Sequence, residues 1–402
     1  MVMEEIVLST PQSLAQQPAV VGSIRRQTPR RARIAVATTF FITGMTFATW
    51  AARIPAVSEQ LHLTPGTLGI ALFGLNCGSL LSLPISGTLV VRLRSRTTAF
   101  IGFLFYCLLF PLLGMMPNVW ALACMLGVYA LGSSLTNIAI NVAGVAVEQR
   151  YNRPLMGSFH AFWSFGGVAG SLIGAGAASI NMPVWLHFGL MSIVWLIGGL
   201  LATMHFVPEE QHQKRDKTAS LRPKGALLIL IVIAFCAFLS EGVMSDWSGI
   251  YMRDTVQSGA GIAALAYSVY TFTMSIGRFS TDRVVALLGP RRFVCGAALL
   301  AASGLGLALL VPTTPTAFLG FALLGIGVAG IAPTVIGAAG RLHGGAAIAL
   351  ITGVGYVSSL SGPVVVGWLA EASSLRLALC FIVCMALVMS MLALKLERRQ
   401  QI

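Results

Sequence analysis

After residue 33 the chain is built of twelve long apolar runs divided by short polar breaks, and few architectures accommodate that pattern. The runs span roughly 34–54, 66–91, 98–116, 119–147, 155–180, 183–206, 225–250, 261–288, 293–311, 316–340, 346–370 and 376–394. As helices rising about 1.5 Å per residue, each can cross a hydrocarbon core about 30 Å thick. Only 10% of residues are charged, against about 25% in ordinary soluble domains. So little charge cannot cover a water-facing surface of this size, which excludes a soluble enzyme, a secreted module and a disordered chain. The 43 glycines fit a bundle whose helices approach closely, as membrane helices do through small residues.

Charge placement gives the expected orientation. With the N-terminus inside, 23 of the 26 Lys and Arg fall on the cytoplasmic side, leaving Arg53, Arg253 and Arg376 outside. Both termini are then cytoplasmic. The net charge of +13 is explained without nucleic acid, and the partners expected are the lipid bilayer, protons and a small solute. Residues 1–33 lack the apolar core of a signal peptide and form a polar basic cytoplasmic arm. Seven cysteines, all within apolar runs and none with metal-ligand spacing, are expected as buried free thiols.

The longest internal polar stretch, 207–224, separates two sets of six runs, 34–206 and 225–394, and a short tail follows at 395–402. The sets echo one another. Pro117 and Pro312, and Gly132 and Gly327, are each 195 apart; Gly174 and Gly367 are 193 apart; Trp50 and Trp247 are 197 apart. The fold class expected is all-α, with twelve transmembrane helices in two pseudo-symmetric six-helix bundles, acting as a monomer.

Twelve runs in two repeated halves, with a basic central loop, resemble the major facilitator superfamily. That superfamily has a G-x-L-x-D-R-x-G-R-R loop between its second and third helices. Here the loop reads Gly87-Thr88-Leu89-Val90-Val91-Arg92-Leu93-Arg94-Ser95-Arg96, with Val91 in place of the aspartate and Arg94 in place of the second glycine. The second copy is better kept, as Gly277-Arg278, Asp282-Arg283 and Gly289-Pro290-Arg291-Arg292. Ser361-Gly362-Pro363 through Gly367 resembles its Gly-Pro helix motif. Asn137 to Glu148, Arg153 to His160, and Glu241 to Ser248 look like the MosC-like branch. The resemblance implies a secondary transporter in a bacterial inner membrane, linked to sugar- or cyclitol-like compounds. It also implies that Asp282 and Arg283 help latch an inner gate. With Val91 opposite, such a latch is one-sided.

Charged groups inside a bilayer cost at least about 2.5–3.5 kcal/mol each, so each needs a reason. Glu241 lies deep in the seventh run. A carboxylate taken out of water favours its neutral form, as a proton carrier requires; a permanent hydrogen bond to a neighbouring helix would serve equally to keep it there. Asp246 lies nearer the outer surface and is the second coupling candidate. Arg53, at a similar height in the first run, could close an outer gate by pairing with Asp246, or hold an anionic solute. Asn137 and Asn141 share one face of the fourth run. With His160 and Ser164 in the fifth they suit a polyhydroxylated solute, or else simply bond helix to helix. Trp50, Trp163 and Trp247 offer flat faces to a sugar ring, or anchor the interface. Glu148, Arg278 and Asp282 are placed at cytoplasmic helix ends as gating candidates. The run Gly166-Gly167-Val168-Ala169-Gly170 lacks a following lysine and reads as helix packing rather than a phosphate loop. No ATP-binding motif, hydrolase triad or metal motif is present, so no cofactor and no enzyme activity is expected. The function expected is proton-coupled carriage of a small polar solute by alternating access. The alternative is proton-driven export of amphiphilic compounds.

Overall fold

The computed structural model describes residues 29–151, 155–208 and 225–396. The arm as far as residue 28, the linker from 209 and the tail from 397 lie outside the described residues. The elements in order are α1 (Pro29–Gln60), α2 (Pro65–Leu113), α3 (Val119–Tyr151), α4 (Met156–Ser179), α5 (Val184–Thr203) and α6 (Ala226–Asp254). They continue as α7 (Ala260–Ala264), α8 (Ala266–Leu288), α9 (Pro290–Leu310), α10 (Thr314–Ala329), α11 (Ile331–Ala372) and α12 (Leu375–Lys395). Every regular element described is helical. Eleven helical stretches among the described residues are long and apolar enough to cross a membrane.

Local sequence sets the helix starts. The Thr64 side chain accepts from the Thr67 N–H, and Pro65 follows at the first helical position of α2. Ser374 caps α12 in the same way through the Leu377 N–H. Gly289, at φ 76°, ends α8 in a conformation that glycine tolerates, and Pro290 opens α9.

At 49 residues α2 would be about 73 Å long if straight, more than twice the hydrocarbon thickness. It is not straight. Arg94 breaks the helix at φ 64°, ψ 162°, and the Thr98 hydroxyl donates to the Leu89 carbonyl nine residues back at 3.3 Å. Before the break, Gly74 and Gly78 abut Ala123 and Gly127 of α3 in the same order; after it, Gly102 abuts Thr136 and Tyr106 abuts Gly132, in reverse order. The chain therefore turns back at Arg94, the position where the superfamily loop has its second glycine.

The expected break between runs 316–340 and 346–370 falls elsewhere. Helix geometry is interrupted at Gly330, and α11 then continues from Ile331 to Ala372. The apolar spans are nonetheless Thr314–Arg341 and Leu350–Ala372. A polar residue ends an apolar run without ending a helix.

Glycines let α1 and α4 touch backbone to backbone. A Cβ on Gly44 would sit 1.9 Å from the Trp163 carbonyl oxygen, one on Gly166 1.9 Å from that of Phe41, and one on Gly170 2.2 Å from that of Met45. The glycine-rich run of α4 is thus a packing face. All seven cysteines are free, but Cys124 and Cys384 are exposed on their helices rather than buried as expected.

Three seams join α1–α5 to α6–α12: α2 against α11, α4 against α7 and α8, and α1 against α6. Their close contacts concentrate at the end remote from Pro29 and Lys395, the far end. There Ala52, Ala175, Ala178 and Ala264 form a small apolar cluster. A Cβ on Gly69 would lie 2.6 Å from the Pro363 carbonyl oxygen, and one on Gly249 3.0 Å from the Pro55 ring. Arg253 donates to the Pro55 carbonyl, and the Gly66 N–H at the start of α2 donates to the Glu371 carboxylate at 3.0 Å.

Candidate functional site

A cavity opens among α1, α2 and α3, lined by Thr43, Thr46, Phe47, Trp50, Leu75 and Ser79, with Tyr106, Tyr129, Ala130 and Ser133 opposite. The spacing explains who lines it. Thr43, Thr46 and Trp50 lie three and four residues apart on one face of α1, and Tyr129 and Ser133 are four apart on α3. The lining offers hydroxyls and aromatic rings and carries no formal charge. Trp50 is 3% exposed, and its indole N–H has no partner in the described chain. A buried donor left so costs about 1–3 kcal/mol, which any hydrogen-bond acceptor reaching it would recover.

Both Trp50 and Trp247 are buried in protein rather than exposed at an interface. Only Trp50 reaches this cavity; Trp247 packs within the main core. Trp163 is half-buried, its ring 6.0 Å from Phe47, which in turn lies 5.8 Å from Tyr267 across the seam.

The deep carboxylates differ from the expectation. Glu241 lies near the middle of α6, about 22 Å from Ala226. It accepts from Arg278 at 2.9 Å. Arg278, expected at a cytoplasmic end, stands in mid-helix, ten residues or about 15 Å from the end of α8. Its partner on α6 is what permits it to sit deeper than the motif implies. Asp246 lies five residues beyond Glu241, about 140° around the helix, and is half-buried. Its carboxylate accepts from the Ser245 hydroxyl at 3.2 Å and meets no cation among the described residues.

Arg53 does not pair with Asp246. It turns into its own half and donates to the Met182 carbonyl at 2.6 Å. The Asn141 amide donates to the Asn137 carbonyl at 2.8 Å and to its side chain at 3.2 Å, so the two engage each other; Asn137 is exposed. Exposed His160 rests edge-on against Phe40 at 5.1 Å, and the Ser164 hydroxyl donates to the His160 carbonyl at 3.3 Å. Neither asparagine, His160 nor Ser164 lines the cavity at Trp50. Glu148 accepts from the N–H groups of Leu155 and Met156 at 2.6 and 2.9 Å, capping the start of α4. Asp282 and Arg283 are exposed near the end of α8. Sequence reasoning missed Thr43, Thr46, Ser79, Tyr106, Tyr129 and Ser133, and also Arg253 and Glu371 at the far end. The same-face spacing on α1 and α3 was the available signal. No cluster of three or more His, Cys, Asp or Glu suited to a metal occurs among the described residues.

An uncharged, hydroxyl-lined cavity inside an all-helical membrane body, with seams drawn together at one end, defines a membrane transporter. Comparison with known proteins agrees. The Major Facilitator Superfamily profile matches residues 35–344 and 229–401. The uncharacterized transporter y4wD of Sinorhizobium fredii is 31% identical over 354 residues, covering 87% of this chain and 93% of that one. The membrane protein MosC of Rhizobium meliloti is 27% identical over 378 residues, covering 91% and 90%. The crystal structure of the nucleoside transporter NupG superposes with a TM-score of 0.73 over 90% of this chain and 98% of that one, at 11% identity, a likeness of fold. The chain belongs to the Major Facilitator Superfamily. It is a multi-pass membrane transporter and not an enzyme.

Proposed function

We propose that the protein carries a small, uncharged, polyhydroxylated solute of the sugar or cyclitol type by alternating access, coupled to protons, across a bacterial inner membrane. The observation that carries this reading is the cavity at Trp50. Threonine and serine hydroxyls and an unpartnered indole N–H answer a solute rich in hydroxyls, and the flat faces of Trp50, Phe47 and the tyrosines answer a ring. An exporter of amphiphiles would instead want a methionine-rich apolar cavity around one free carboxylate. This lining contains no methionine, and Glu241 is engaged by Arg278.

Counting α2 as two crossings on either side of Arg94 gives twelve, six in each of the bundles 34–206 and 225–394. With both termini in the cytoplasm, the closed far end faces outward and the protein is open inward. The likeness to the MosC-like branch supports the same membrane and solute class.

The proton site in this reading is Asp246. Glu241 is already engaged by Arg278, whereas Asp246 meets no cation among the described residues. Asp246 has a single hydroxyl for company and changes environment as the adjoining α1–α6 seam opens. Arg278 then serves to hold α6 to α8 beside His160. Purified protein in liposomes with an imposed pH gradient, screened against labelled sugars, cyclitols and nucleosides, tests the reading. Accumulation of a neutral polyol that collapses with the gradient is expected. Gradient-driven movement of amphiphilic cations alone would refute it.

A further inference from the structure

The transport cavity and the carboxylates leave one polar cluster unused. Arg53 is 3% exposed, its guanidinium makes one bond, to the Met182 carbonyl, and both Nε and Nη1 have no partner in the described chain. His187, in the first turn of α5, is 2% exposed, and neither ring nitrogen has a partner. Arg53 reaches the Met182 carbonyl, five residues before His187, and the Cβ position of Gly174 lies within 4 Å of both Ala52, the chain neighbour of Arg53, and the His187 ring. Ser171, fully buried on α4, also has an unpartnered hydroxyl, and Gly174, one turn along the same face, borders His187. Arg53 and His187 thus meet beside Gly174, where α1, α4 and α5 come together.

A buried guanidinium is retained only when its charge is met. The ion pairs among the described residues are Arg253–Asp254 and Arg278–Glu241, and neither involves Arg53. A carbonyl supplies a dipole, not a charge. We infer that the N-terminal half holds a small monovalent anion of the chloride class between Arg53 and His187. Two guanidinium N–H groups and an imidazole N–H are donors suited to a spherical anion. One net positive charge matches one negative charge. Arg53 and His187 are almost wholly enclosed and Gly174 packs directly on the Ala52 methyl, so no opening admits a bulky organic acid. The apolar surroundings, with Phe188 next in sequence and ring-to-ring with His187 at 5.8 Å, favour a weakly hydrated ion. The anion ties α1 to α5 and leaves the solute site uncharged.

The test uses full-length protein in detergent, exchanged into gluconate and titrated with chloride at constant ionic strength while the unfolding temperature is followed. A saturable rise with chloride and bromide is expected in the wild type. It should vanish in Arg53→Gln and move to roughly tenfold higher chloride in His187→Leu, as losing one donor to an ion implies. A shallow, unsaturated rise equal in chloride and gluconate would overturn the inference. So would a saturable rise that survives Arg53→Gln. If that variant does not fold, crystals of the wild type in bromide decide: an anomalous peak in contact with Arg53 and His187 supports the site, and an empty position at saturating bromide refutes it.

Discussion

Glu371→Ala should loosen the far end. Its carboxylate accepts the Gly66 N–H at 3.0 Å, at the start of α2 and across the seam from its own helix. It therefore acts as a charged cap on another half's helix, present only while the seam is closed. Caps and charges at helix N-termini contribute about 0.5–2 kcal/mol, and Glu371 is exposed, so the lower part of that range applies, about 0.5–1 kcal/mol. Removing it should raise the population open at the far end about two- to fivefold. Ala175 is buried in the alanine cluster that seals the α4–α7 seam and reports this opening. With the native cysteines replaced, Ala175→Cys should react with a membrane-impermeant maleimide about two- to fivefold faster in the Glu371→Ala background. An unchanged rate would show that the cap does not bias the seam.

Four further outcomes are expected. Asp246→Asn should abolish accumulation driven by a pH gradient while leaving counterflow, whereas Glu241→Gln should retain gradient-driven uptake; the reverse result in liposomes returns the proton to Glu241. Trp50→Phe should raise KM about 2- to 10-fold through the lost indole donor, with kcat less changed, as transport kinetics would show. Arg94→Gly should raise the unfolding temperature, since relief of a backbone conformation natural to glycine contributes about 1–3 kcal/mol, less up to about 1 kcal/mol of added chain entropy. Gly166→Leu should abolish a monodisperse peak in size-exclusion chromatography, while Gly157→Leu, which meets nothing within 4 Å, should not.

The helices were legible because a bilayer imposes length and apolarity on every crossing, and the turn at Arg94 was marked by the arginines around it. The pairing of side chains was not. Arg278 was placed by its motif at a helix end, because sequence alone does not reveal that Glu241 lies level with it on another helix. Glu148 lies in α3 and the N–H groups it accepts from stand at the start of α4, so a cap reaching from one helix to the next leaves no local signature. Asn137 and Asn141 were correctly put on one face, but nothing in their spacing told whether they would face a solute or each other. The cavity's hydroxyls on α1 went unnoticed because threonines there look like ordinary helix filler until α3 is brought opposite.

The contact of α1 with α4 has a mechanical consequence. Carbonyl oxygens of each helix fill the space where side chains on the other would stand, at Gly44, Gly166 and Gly170, so neither helix can slide or tilt without the other. Yet α1 forms the seam with α6, and α4 forms the seam with α7 and α8. Two doors are hung on one rigid post. They cannot open one at a time, so these two of the three seams fail together or not at all. A carrier built this way resists slip: partial loosening at either seam strains the common post instead of opening a narrow path, and ions do not leak past an unmoved solute.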